Sequence, residues 1–143
     1  MAFKCILLLG LSVLFSACTE SPTEPSHSAA FARTDLRAGT GAEAVSGNTL
    51  RVSYTLWLYS ATAADNKGVR VESSSDSQTP FSFVLGSGQV IDGWNEGLTG
   101  MRVGGLRRLV VPPSLAYGES RNGIIPPNAT LLFEIELLEV TTP

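Results

Sequence analysis

The chain is poor in the side chains that usually carry out catalysis. From Asp35 to Pro143 it has no cysteine and no histidine, and Lys67 is the only lysine. That removes thiol chemistry, histidine-based triads and most zinc sites. A serine–lysine nucleophile is nearly excluded too, because Lys67 falls in a turn-forming stretch. "GTGAEA" (39–44) matches the letters of a dinucleotide-binding loop. Such a loop needs a strand before it and a helix after it, whereas here a linker precedes and a strand follows. Glu134 and Glu136 alternate along a strand and read as a solvated sheet face, since nothing supplies further metal ligands. Asp92 and Glu96 could pair for sugar hydrolysis, but they fall on the solvent side of a short helix.

What remains is aromatic. Tyr54, Phe81, Phe83, Trp94, Tyr117 and Phe133 come from different segments. A small core accounts for Phe83 and one or two others. It accounts poorly for Trp94 in "GQVIDGWNEGLTG" (88–100), or for Tyr117 in "LAYGES" after two prolines. Aromatic walls with few polar tips describe a pocket for an apolar ligand.

The elements that must position these rings are mostly strands. "LRVSYTLWLY" places Leu50, Val52, Tyr54, Leu56 and Leu58 on one face, the period of a strand. "ATAADNKG" (61–68) breaks the pattern with turn formers. "PFSFVLG" sets Phe81, Phe83 and Leu85 on one side, and "GLRRLVVPP" is a short strand stopped by its prolines. "LLFEIELLEV" points Leu131, Phe133, Ile135 and Leu137 inward. One helix is predicted, in "VIDGWNEGL", where Ile91, Trp94 and Leu98 share a face. Asp92 is positioned to cap its start, and Gly97 and Gly100 to stop it. The expected class is α+β: an antiparallel sheet curled around one small helix.

The N-terminus has a different texture. "MAFKCILLLGLSVLFSAC" carries one early lysine, an apolar stretch from Ile6 to Phe15, and small residues before Cys18, the layout of a secretory signal. "LFSAC" resembles a bacterial lipobox, with Phe15 where leucine is usual. The expectation is a lipoprotein signal over 1–17, then a lipidated Cys18 and flexible linker over 18–34, then a domain over 35–143. His27 lies in the linker and reads as solvated. Cleavage would leave one basic residue fewer against 13 acidic ones, so there is no basic surface for nucleic acid or for an anionic membrane. Attachment would rest on the lipid, at about 0.8 kcal/mol per buried CH₂. Thr19 after the cysteine points to the outer membrane, facing the periplasm. "NAT" (128–130), a glycan acceptor in form, reads as idle in a bacterial setting.

"PFSFVLGSGQVIDGWNEGLTGMRVGGLRRLVVPPSLAYG" followed by "IIPPNATLLFEIELLEV" resembles the FKBP-type peptidyl-prolyl cis–trans isomerases, from about Asp35 to Val140. The resemblance implies an antiparallel half-barrel wrapped on the helix, with Trp94 as a pocket floor partly open to solvent. It makes Tyr54, Phe81 and Phe133 walls, and puts Val90 and Ile91 at the mouth. The Ile91 N–H would donate to a substrate carbonyl, Tyr117 would offer its hydroxyl, and Ile124 and Ile125 would close the far side. It implies no cofactor and no metal. It also implies proline-containing polypeptide substrates, macrolides such as rapamycin as further ligands, and a monomer. Three features depart from the family pattern. Val71 and Glu72 stand before Ser73 and Ser74, where a Phe–Asp pair is usual. Leu56 stands where glycine usually follows "YT". The loop "GESRNG" is one residue short. Val71 would remove a wall, and the longer Glu72 would reach past the Tyr54 hydroxyl. Two functions follow: an isomerase acting on exported chains, or an anchored chaperone that holds proline-containing segments without turning them over. A structural lipoprotein with a vestigial pocket is the third.

Overall fold

The structure, a computed structural model, describes residues 29–143; the expectations for the signal, Cys18 and His27 lie outside them. The chain forms β1 (Ala32–Arg37), β2 (Thr49–Tyr59), β3 (Lys67–Ser73), β4 (Phe81–Val84), α1 (Asp92–Leu98), β5 (Leu106–Val111) and β6 (Leu131–Thr141). These strands make one antiparallel sheet in the order β1-β5-β6-β2-β3, with β4 also pairing β2. The fold is α+β, as the period-two runs predict. Leu50, Val52 and Leu56 of β2 are buried beneath α1, with Leu109 and Val111 of β5 and Leu131, Phe133, Ile135 and Leu137 of β6.

Two strands were not legible. β1 begins inside the segment read as linker, with half its residues there, and pairs with β5 from Ala32↔Val110 onward. β3 pairs with β2 from Thr55↔Ser73 to Tyr59↔Lys67, with two register shifts. Neither strand has a residue that is fully buried, so neither shows the apolar alternation that marks a half-buried strand.

Helix α1 has seven residues and two interior glycines, so its own propensity cannot sustain it. The sequence assigns Gly97 to stopping the helix, but the structure gives it another role. A Cβ on Gly97 would lie 2.6 Å from Leu109 Cδ1, and one on Gly93 would strike Val111. One turn apart on the same face, the two glycines let the helix backbone lie directly against β5. Asp92 is the first helical residue rather than the cap: Ile91 occupies the cap position, with no side-chain bond to the helix. At the other end Arg107, itself buried, donates to the Gly97 carbonyl at 2.8 Å and the Thr99 carbonyl at 3.4 Å. Its remaining nitrogens grip the Asp35 carboxylate at 2.6 and 3.2 Å. Hydrogen bonding to Arg107 holds the Asp35 carboxyl below its usual range. One guanidinium thus ties β1, β5 and the end of the helix that carries Trp94.

Candidate active site

Trp94 stands on the face of α1 opposite solvent and meets rings from three strands. Its indole lies edge-on to Tyr54, Phe81 and Phe133 at centroid distances of 5.1, 6.0 and 5.4 Å, and tilted to Phe83 at 5.4 Å. These are the spacings at which aromatic pairs gain beyond simple area burial. The expected partial exposure is not found: Trp94 is 4% exposed, because the four rings enclose it. Its Nε1–H is buried without a hydrogen-bond partner among the described residues.

Above this floor opens a cavity of about 430 Å³. Strand β2 lines it with Tyr54 and Leu56, β3 with Glu72, β4 with Phe81 and β6 with Phe133. The loop into α1 adds Gly88, Gln89, Val90 and Ile91, and Tyr117 completes the rim from the segment after β5. That loop is fixed from both sides. The Gln89 side-chain oxygen accepts from the Val84 N–H at 2.8 Å, and the Asn95 oxygen from the Gly86 N–H at 2.9 Å. Gly88, at φ +80°, takes a turn that other residues rarely adopt. The Ile91 carbonyl accepts from the Trp94 N–H at 3.0 Å, while the Ile91 N–H makes no hydrogen bond to a described residue. Tyr117 is held by a short 3₁₀ turn over Pro113–Leu115, closed by the Gly118 N–H on the Pro113 carbonyl at 2.8 Å.

Tyr54 is the most constrained wall. The β2–β3 ladder ends at Thr55↔Ser73, one residue short of Tyr54, and serine side chains take its place. Ser74 Oγ accepts from the Tyr54 N–H at 3.0 Å, and Ser73 Oγ donates to the Tyr54 carbonyl at 3.0 Å. The phenol donates to Glu72 Oε1 at 3.0 Å, so the expected overreach of the longer acid does not occur. Burial, then the hydrogen bond to Glu72 and its charge, push the Tyr54 phenol up to about 12. It therefore stays a neutral donor at physiological pH.

Of the expected site residues, the fold brings Tyr54, Glu72, Phe81, Val90, Ile91, Trp94, Tyr117 and Phe133 to one cavity. It leaves three elsewhere. Ile125 is 4% exposed within the core, and Ile124 turns outward at 61% exposure, because a tight Asn122–Ile125 bridge directs the two neighbours apart. Val71 packs partly buried against the core and not on the cavity wall. Leu56, one of the departures from the family pattern, lines the cavity in its place. Its inward register was readable from the β2 alternation, but its contact with a ligand space was not. Gln89 had no signal beyond its glycine neighbours.

Comparison with known proteins places this geometry. The family model described as FKBP-type peptidyl-prolyl cis-trans isomerase matches residues 41–138. An FK506-binding protein of Neisseria meningitidis serogroup B is 47% identical over 107 residues, which span 74% of this chain and 92% of that protein. FK506-binding protein 2B of Rhizopus delemar is 51% identical over 96 residues, 66% of this chain and 43% of that one. Among solved structures, FkpA from Escherichia coli superposes with a TM-score of 0.67 at 38% identity, covering 78% of this chain and 48% of its own. AtFKBP13 gives 0.66 at 35% identity, covering 76% and 91%. A sheet closed on a glycine-packed helix, an aromatic cavity above its tryptophan and a match over most of the domain agree: the chain belongs to the FKBP-type peptidyl-prolyl cis–trans isomerase family.

Proposed function

We propose that the cavity above Trp94 is where this chain isomerises X–Pro bonds, and that its substrates are exported polypeptides met at the bacterial envelope. The observation that supports it is the cavity itself, about 430 Å³ with a floor and walls of four aromatic rings. That volume lies in the usual range for a ligand site.

The chemistry needs no acid–base pair. Resonance keeps the amide planar, and an X–Pro bond turns over in about tens to hundreds of seconds unaided. The twisted transition state has lost that resonance and is less dipolar. Apolar walls disfavour the planar form relative to the twisted one, and fixed donors can hold the twisted geometry. Two donors stand ready, the Ile91 N–H and the Tyr117 hydroxyl. Each 1.36 kcal/mol gained in the transition state speeds the bond about tenfold.

In this reading Cys18 is lipidated and the segment between it and β1 holds a monomeric domain off the outer membrane on its periplasmic side. Macrolides such as rapamycin occupy the same cavity as the proline ring. The test of catalysis is isomerisation of a short X–Pro peptide with and without rapamycin. Turnover that the macrolide blocks supports the reading. Peptide binding without turnover would make the chain an anchored holding module instead. For the anchor, Cys18→Ser should abolish fatty-acid labelling, and labelling that persists would overturn it.

A further inference from the structure

The aromatic cavity shares a wall with a second one. A groove of about 400 Å³ lies on the other side of Tyr54, Glu72 and Phe81. Its far walls are Pro80 and a run of polar side chains: Ser73, Ser74, Ser77, Thr79 and Asp76. Tyr54, Glu72 and Phe81 form the edge that a polypeptide crosses if it passes from the space above Trp94 into this groove.

The charges at this edge are not equivalent. Asp76 is spent: Oδ1 pairs with Arg70 at 2.6 Å and Oδ2 accepts the Ser73 N–H at 3.0 Å. Glu72 is not. Its Oε1 takes the Tyr54 phenol, and among the described residues its Oε2 has no hydrogen-bond partner and no lysine or arginine pairs with it. Glu72 lines both cavities, so one carboxylate without a cation partner among the described residues stands on the edge between them.

Resting on the reading of the aromatic cavity as the proline site, we propose that Glu72 is a specificity determinant: it selects substrates with a lysine or arginine next to the proline. Glu72 is exposed, so its attraction for a cation and its repulsion of a like charge are modest and strongest at low ionic strength.

The test uses peptides of one length that differ only at the residue before the proline (Lys, Leu or Glu), and a second set varied at the residue after it. Exchange between cis and trans is followed by NMR, and binding by Trp fluorescence, with wild type, Glu72→Gln and Glu72→Lys. In wild type, Lys is preferred over Glu by about tenfold at low ionic strength in one of the two sets, and the preference shrinks as salt is added. Glu72→Gln, which can still accept from Tyr54, removes the preference, and Glu72→Lys inverts it. A Lys-to-Glu ratio near one in wild type for both sets, or a ratio that survives Glu72→Gln, overturns the proposal. The binding ratios decide this even if no peptide is turned over, an outcome that would count against catalysis and not against charge selection.

Discussion

Along β6, adjacent residues belong to two different chemistries. Phe133 and Ile135 face α1 and are buried among apolar side chains. Glu134 and Glu136 face the other way and are met by cations from β1, β3 and β5. Glu134 Oε1 accepts from Arg108 at 2.8 Å and from Lys67 at 3.0 Å, and Lys67 also sits 4.5 Å over the Trp57 ring. Arg37 reaches Glu136 at 2.9 Å. The outer face pairs these carboxylates, whereas the helix side leaves two polar groups at the cavity without a partner among the described residues, the Ile91 N–H and the Tyr117 hydroxyl. A protein-internal partner fixes a polar group in place. One without a partner is available to something that is not the protein, and only the helix side has both such groups and an apolar floor beside them.

The comparison breaks most severely at the floor. Trp94→Ala removes a ring that touches four others, so stability should fall by about 3–5 kcal/mol and binding of rapamycin or a proline peptide should vanish. Denaturant unfolding and calorimetric titration on the folded fraction would measure both. Ligand affinity that persists in a folded Trp94→Ala protein would remove the aromatic cavity from the mechanism.

A smaller effect is expected at Val71. The resemblance makes it a missing wall, one that Val71→Phe would be expected to restore. In the structure its side chain packs against the core while Leu56 occupies the cavity side. A larger ring there has no gap to fill, and overpacking should cost roughly 1–3 kcal/mol with no gain in isomerisation rate. A faster, still folded Val71→Phe protein would show that position 71 reaches the ligand space.

How much of this was legible follows the burial of each element. β2, β4, β5 and β6 have one face in the core, so their residues alternate in type, and the sequence shows where they lie. β1 and β3 bury little and left no pattern. Ile91, Trp94 and Leu98 marked the helix. The purpose of Gly93 and Gly97 depends on how near β5 lies, a distance that no local pattern encodes. The resemblance brought most wall residues to the cavity in advance. It failed at Ile124 and Ile125, where one tight turn sends adjacent side chains to opposite destinations. It also could not foresee that the longer Glu72 still meets the Tyr54 phenol.

The smallest expected effect tests whether the two faces are independent. Glu134 follows Phe133 directly in the chain, yet nothing it touches lines the cavity. Burial alone would raise its carboxyl, but hydrogen bonds from Arg108 and Lys67, with their charges, outweigh that and hold it below the ordinary 4.5. A carboxyl depressed in the folded state contributes stability above its unfolded value, and the contribution is lost as pH falls through the folded one. Glu134→Gln should therefore cost up to about 1 kcal/mol at neutral pH, and the loss should shrink on acidification below 4.5 as wild type forfeits the same ion pairs. Arg108 bears the larger part of the cost, since its Nε is already buried without a partner among the described residues. Urea unfolding at neutral and acid pH measures the loss. Isomerisation of an X–Pro peptide by Glu134→Gln should stay within about twofold of wild type, far short of the tenfold that 1.36 kcal/mol would produce. A larger drop would mean that charge pairing on the outer face sets the position of Phe133, and that the sheet transmits strain from one face to the other.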